Sequence, residues 1–297
     1  MEPSELPEAI VTDETLSVQA KRRVLDLAAE FTQYQYTKRK KEGDYNKELL
    51  GILSARSKLG PPEGEGHIPP RPTGPETGHE SGRFSLGGGM RDREAFAELR
   101  YRPAYHDLLD PGEGFLPGSQ IIFGEVTLRY YEAPGRLRLK HLDVIDIVSI
   151  TRRDRFFQHL SWKVNTGLME SQFPDGKSHL HAVLNPAGGF AFTLGETGTP
   201  YLFIETDLRA SGRFEHDYAF GAGGSAGIFG DISNDWKAHL RGGAIAYRAG
   251  DRHDRYFGRL DQTYRFRKNM AISLGLGWEK SFGESEREAK LNWNLYL

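Results

Sequence analysis

Two histidines one residue apart, His179-Leu180-His181, would share one face of a strand, a spacing that metal sites use. No third ligand stands nearby in the sequence, so the competing reading is an exposed polar pair in a loop. Gly78-His79-Glu80-Ser81 places a histidine close to a serine. Barrel-embedded lipid hydrolases pair these residue types at a strand edge, serine as nucleophile and histidine as base. The competing reading there is a turn entering the first strand. Ser85-Leu86-Gly87-Gly88-Gly89 is glycine-rich, but no helix with a Lys-Ser/Thr follows it. A tight hairpin therefore accounts for it better than a phosphate loop. Glu98, Glu125, Glu205, Asp207 and Asp261 could supply a general acid and base. Each has a basic neighbour in the pattern, which points to structural pairing instead.

Composition narrows the classes. Lys plus Arg is 39 and Asp plus Glu is 41, so a net charge of −2 gives no reason to expect nucleic acid. Cys is absent, which excludes disulfides, thiolate zinc sites and cysteine nucleophiles within the chain. No cofactor is implied. Gly at 35 and aromatics at 11% suit a barrel with a polar lumen, and equally a soluble all-β protein. No segment approaches the roughly 20 apolar residues of a membrane helix. Met1-Glu2-Pro3-Ser4-Glu5 is acidic and no apolar run follows, so no signal peptide is read from the chain as written.

The elements that must position these residues follow from periodicity. Residues 1–15 are acidic and Pro-containing, and read as disordered. Residues 16–59 read as a helical stalk, with apolar residues at three- and four-residue steps from Ser17 to Lys41 and a second helix over 45–58. Ser17 is the expected N-cap, without a capping-box glutamate. Two such helices need a partner surface to be stable. Residues 60–80, with Gly60-Pro61-Pro62 and Pro69-Pro70-Arg71-Pro72, read as an extended linker.

From 81 to 297 the period becomes two. About twelve strands are expected, at 82–90, 94–106, 119–131, 136–150, 160–172, 184–195, 200–212, 216–229, 236–248, 254–266, 270–282 and 286–297. Many reach the nine to eleven residues a tilted membrane strand needs. Their faces differ: Leu202, Ile204, Leu208 and Ala210 oppose Glu205, Asp207 and Arg209, and Tyr256, Leu260, Tyr264 and Phe266 oppose Arg259, Asp261 and Arg265. The last stretch alternates too, with Leu291, Trp293, Leu295 and Leu297 on one face up to the final residue. A closed barrel needs such a strand to pair with its first. The fold class is thus all-β: an antiparallel up-and-down transmembrane β-barrel of about twelve strands, preceded by a short helical hairpin. Loops on the side away from the termini are the longer set in such barrels, and by the expected strand ends they are not clearly longer here, a point against the reading or the sign of a small plain barrel. Trp162, Trp236 and Trp278 suit an interfacial girdle, and Trp293 suits it less well.

One stretch carries a family resemblance. Gly78 to Gly89, then Phe96-Ala97-Glu98-Leu99-Arg100-Tyr101-Arg102-Pro103-Ala104-Tyr105-His106-Asp107-Leu108-Leu109-Asp110, resembles large bacterial envelope proteins. In these, a periplasmic papain-like domain similar to the lipoprotein N-acyltransferase group called Lnb precedes helices and a C-terminal barrel. Leu116 to Ile121, Asp143 to Ile147 and Leu160 to Val164 extend the resemblance, whose most specific part is the run from Arg102, Pro103, Ala104, Tyr105, His106 and Asp107 to Asp110. The family's enzymatic domain uses a Cys with a His, and this chain has no Cys, so no catalytic residue is carried over. The resemblance implies a Gram-negative outer-membrane protein whose partners are outer-membrane lipid, the barrel-assembly machinery and a periplasmic enzyme domain. On this reading the chain corresponds to the C-terminal portion of such a protein. It would be a non-enzymatic module that anchors or positions a lipoprotein- or envelope-modifying domain. The alternatives are a barrel-embedded lipid or acyl enzyme and a soluble all-β binding domain.

Overall fold

The computed structural model describes residues 6–38, 44–60, 74–132, 135–173 and 175–297. The chain divides into two units, Met1–Arg71 and Pro72–Leu297. The expected linker falls largely on 61–73, outside the described residues; its described part includes a 3-10 turn at Pro75–Thr77.

The first unit contains α1 (Leu6–Thr12), α2 (Val18–Lys38) and α3 (Tyr45–Ser57). Ser17 caps α2 as its type predicts: its Oγ accepts from the Ala20 amide at 3.2 Å. Asp44 does the same for α3, accepting from the Lys47 amide at 3.3 Å. Leu25, Ile52 and Ala55 form a small core, against which Ile10 and Val11 pack. That packing corrects the expectation of disorder for 6–12, where two apolar residues that α2 and α3 can bury order α1; residues 1–5 lie outside the described residues. Leu27, Leu50 and Leu53 stay exposed, as the sequence implied for helices that need a further surface.

The second unit is built from β1 (Arg83–Arg91), β2 (Glu94–Arg102), β3 (Tyr105–His106), β4 (Ser119–Tyr131), β5 (Arg136–Ser149), β6 (Ser161–Gln172), β7 (Ser178–Ala191), β8 (Thr199–Ala210), β9 (Tyr218–Ser233), β10 (Trp236–Gly250), β11 (His253–Arg267), β12 (Met270–Ser281) and β13 (Glu284–Tyr296). Each pairs antiparallel with its neighbour. β1 also pairs with β13, matching Leu86 to Trp293 and Phe84 to Leu295. β2 pairs with β4, while the two-residue β3 caps the other end of β4. The remaining twelve strands therefore close into a ring. The last residue seals the seam, Leu297 donating to the Gly82 carbonyl at 2.8 Å and accepting from its amide at 3.0 Å.

The expected strand over 94–106 is broken at Pro103, which cannot donate to the ladder. Tyr105 beyond it adopts a positive φ of 72° and turns its ring outward against Phe123. β7 starts at Ser178, paired with Gln172 at the end of β6, rather than at 184, and it runs on through Pro186. Pro186 lacks the N–H that would reach β8, and the Asn185 side chain supplies the bond instead, donating to the Thr206 carbonyl at 2.8 Å. Ser85 to Gly89 is not a hairpin but the middle of β1. A Cβ on Gly87 would lie 2.1 Å from the Leu291 carbonyl and the Asn292 side chain, so the closure with β13 requires glycine there.

The alternating faces sort as inside and outside. Leu99, Tyr130, Leu202, Leu240, Leu274 and Leu291 are exposed on the outer wall, while Glu98, Arg129, Glu205 and Arg209 are buried within. Hence the apolar faces form no shared dry core, as the soluble all-β alternative would need. Trp162 and Trp236 open β6 and β10, Trp278 stands near the other end of β12, and Trp293 lies close to the end of β13. The general rule of longer outer loops is reversed. The longer connections, 107–118 and 150–160, lie on the side of the termini, and the opposite side has tight turns such as 92–93, 251–252 and 282–283.

Candidate functional site

At the terminal mouth the 107–118 connection folds into the barrel and is held there by charge. Its anchor is a carboxylate turn. Asp107 Oδ1 accepts from the amides of Leu109 at 2.8 Å and Asp110 at 3.1 Å, while Asp110 Oδ2 accepts from the Asp107 amide at 2.9 Å. The remaining oxygen capacity goes to guanidinium groups. Arg83 on β1 donates to Asp107 at 2.5 Å, to Asp110 at 2.8 Å and to Glu125 on β4 at 2.9 Å. Arg102 at the end of β2 meets Asp110 at 2.6 Å. Arg100 pairs with Glu125, and the Tyr296 hydroxyl on β13 donates to Asp110 at 2.9 Å. Three cations face three anions, so the cluster is neutral. It ties β1, β2, β4 and β13 to one loop.

Aromatic rings cover this lock. His79 packs at a tilt against Tyr296 at 4.3 Å and stacks on Phe115 at 4.8 Å, and His106 meets Phe115 at 4.3 Å. His79 Nδ1 lies 2.6 Å from the Glu80 carbonyl, which can only accept, so Nδ1 carries the proton. Its Nε2 is buried with no partner among the described residues. Burial holds the His79 imidazole below its ordinary pKa, against the opposing pull of Asp110. Burial alone would raise Asp107, but the Arg83 and Arg102 charges reverse this and leave it well below the carboxylate range.

A histidine held neutral binds fewer protons folded than unfolded below pH 6.5. The stability it contributes is present above that pH and is lost as pH falls. Unfolding of the micelle-embedded barrel by urea should therefore show a lower midpoint at pH 5 than at pH 7. His79→Gln, which keeps the donor to Glu80, should flatten this slope. An unchanged slope in the variant would place the acid sensitivity elsewhere.

Deeper in the lumen the same pattern repeats. Glu98 accepts from Arg129 at 2.7 Å, Lys290 at 3.0 Å and Asn292 at 2.9 Å, and Arg129 also meets Glu288 at 2.6 Å. Glu205 takes Lys163 at 3.0 Å and Asn185 at 3.2 Å. Asp207 pairs with Arg209 at 3.3 Å, Asp261 with Arg259 at 2.7 Å, and Glu279 with Arg255 at 2.8 Å. The five acids singled out in the sequence, Glu125 of the lock included, are thus paired, as their basic neighbours implied. At the far mouth Phe173, Phe214, Ile245 and Tyr247 form an apolar layer with Phe282 against it.

The other candidates disperse. His79 is buried and Ser81 exposed, and no hydrogen bond joins them among the described residues. His179 and His181 lie in β7, not in a loop. His179 bonds Asp175 at 2.7 Å, and His181 packs among Phe173 and Phe214. Among the described residues no group of three His, Asp or Glu could hold a metal ion. Of the motif, Arg102, His106 and Asp107 enter the lock, Pro103 and Ala104 make the break, and Tyr105 faces out. The sequence reading missed Arg83, Phe115 and Tyr296 as parts of the lock. The signal for two of them was available: Arg83 and Tyr296 are bulky residues on the polar, inward face of the strands that must close the ring.

A closed antiparallel ring with an apolar outer wall and an ion-paired lumen is the fold of outer-membrane β-barrels. No helix among the described residues is long and apolar enough to cross a membrane. A family model described as "Domain of unknown function (DUF7840)" matches residues 72–296, and the chain belongs to that family. No curated protein matches the sequence. Among solved structures, the chain is similar to the NanC porin, with 9% identity, a TM-score of 0.43, and 72% of this chain and 100% of that one covered. It is also similar to an outer membrane channel from Pseudomonas putida F1 (12%, 0.43, 78% and 98%). The same holds for LpxR from Salmonella typhimurium (11%, 0.42, 73% and 100%).

Proposed function

We propose that this protein is a non-enzymatic outer-membrane anchor, whose barrel positions a periplasmic lipoprotein- or envelope-modifying domain of the papain-like, Lnb-similar kind. The observation that carries this reading is the lock itself. The 107–118 connection is pinned at the terminal mouth by Asp107 and Asp110, and an apolar, mainly aromatic cluster lies at the other mouth, an arrangement that favours a structural role over free passage of solutes. The exposed Leu27, Leu50 and Leu53 of the helical unit offer the apolar surface that a partner domain would cover. The separation of His79 from Ser81 speaks against the lipid-hydrolase alternative.

Two measurements test it. The full chain reconstituted in a planar bilayer should give no stepwise ion conductance. A papain-like domain of the resembling family, expressed separately, should bind the chain in nanodiscs and lose that binding with Leu50→Glu/Leu53→Glu. Regular conductance steps, or capture indifferent to the helical unit, would end the anchor reading.

A further inference from the structure

The connection 150–160 does not fold into the lumen. It continues the sheet at the terminal rim where β6 has not yet begun. Arg152 forms a parallel bridge with Ala191 at the end of β7, and the Arg153 amide donates to the Ala191 carbonyl at 2.8 Å. Strand alternation then splits the two arginines. Arg152 turns to the next connection, donating to Thr199 Oγ1 at 2.8 Å and the Thr197 carbonyl at 2.7 Å. Arg153 turns the other way, its guanidinium 4.5 Å from the ring centre of Phe190, an outer-wall residue. Arg155 follows and is exposed.

The setting is unusual for a cation. Leu160, Trp162, Phe190 and Phe192 are all exposed outer-wall residues of this rim. Among the described residues neither the Arg153 nor the Arg155 guanidinium has a hydrogen bond or ion pair. The nearest acids in sequence do not answer them. Asp154 turns back on its own connection, its Oδ1 accepting from the amides of Phe156 at 2.7 Å and Phe157 at 2.6 Å, and it forms no ion pair with either arginine. Glu196 belongs to the connection that Arg152 already holds through its carbonyl. An unpaired guanidinium seated on an aromatic ring, among apolar groups that face lipid, sits where a bilayer presents its phosphates.

We propose that Arg153 and Arg155, with the Phe190 face between them and the wall, form a binding site for the phosphate of an anionic phospholipid headgroup in the leaflet that meets the terminal rim. The inference rests on the membrane reading above and adds a ligand class to it. The ring orients Arg153 and leaves its N–H fork free, so the fork can take a phosphate oxygen pair as a bidentate acceptor. Arg155 adds charge without needing fixed geometry.

The test uses the full chain folded in detergent with equal amounts of phosphatidylglycerol and phosphatidylcholine, read by native mass spectrometry. Folding is scored separately by the faster migration of the unboiled protein on a mild SDS gel. Wild type should retain phosphatidylglycerol preferentially. Arg153→Gln/Arg155→Gln should lower that preference roughly tenfold, while Arg213→Gln on the opposite rim should keep it. Folded wild type with no headgroup preference overturns the site, and so does a double variant that retains lipid like wild type. Added inorganic phosphate that strips the lipid as effectively as free phosphatidylglycerol would make it a phosphate site rather than a lipid site, which also overturns the proposal. Loss of the gel shift in wild type would instead strike the barrel reading itself.

Discussion

Asp110→Ala should cost about 3–5 kcal/mol and abolish the compact, fast-migrating band of the unboiled barrel. The carboxylate is only 2% exposed, and it receives Arg83, Arg102 and Tyr296 at 2.8, 2.6 and 2.9 Å. Removing it leaves two buried guanidinium groups with an excess of charge and frees the Asp107 amide. The variant keeps the hydrophobic wall intact, so the loss isolates the lock. Asp110→Asn keeps the shape and one of the two oxygen acceptors, puts an NH2 donor in place of the other and leaves the cluster one charge positive, so it should fall between wild type and Ala. Urea midpoints in micelles rank the three. If Asp110→Ala unfolds at the wild-type midpoint, the loop is not what holds the seam between β1 and β13.

The barrel was legible because its signal is periodic. In β8, Leu202, Ile204 and Leu208 alternate with Glu205, Asp207 and Arg209, and alternation of that kind survives any error in strand ends. The inner and outer faces assigned from sequence are those observed. The breaks were not legible: the strand expected over 94–106 ran straight through Pro103. Pro103 interrupts a strand, yet Pro186 does not. The difference lies in a neighbouring Asn185 whose amide replaces the missing donor, and no single-sequence rule marks that rescue. The lock was half legible. Asp107 and Arg102 stood out through the family resemblance, but their partners Arg83 and Tyr296 lie far away in the chain, and ring closure alone brings them together. His181 was misplaced in a loop for a related reason: its environment, Phe173 and Phe214, comes from two separate turns. The loop lengths went the other way because the chain spends its longest connection on filling the terminal mouth rather than on the opposite side.

Ile204→Arg is expected to destabilise the barrel by about 2–4 kcal/mol in phospholipid vesicles, measured as a urea-unfolding midpoint. Ile204 is 77% exposed in the middle of β8, because its cross-strand neighbours Gly188 and Gly224 have no side chains to shield it. In water this exposure would make the substitution nearly silent, within about 0.5 kcal/mol. In lipid the same position surrounds a guanidinium with hydrocarbon on every side, and the glycines offer no polar partner. Tyr218→Arg supplies the depth control, since Tyr218 faces outward at the very start of β9. There the arginine reaches the interface, so the cost should fall to about 0–1 kcal/mol. A gradient between the two positions requires a bilayer around the wall. Equal, negligible effects at both would mean that the apolar outer face meets water or another protein, and the membrane assignment would have to be withdrawn even though the ring itself stood.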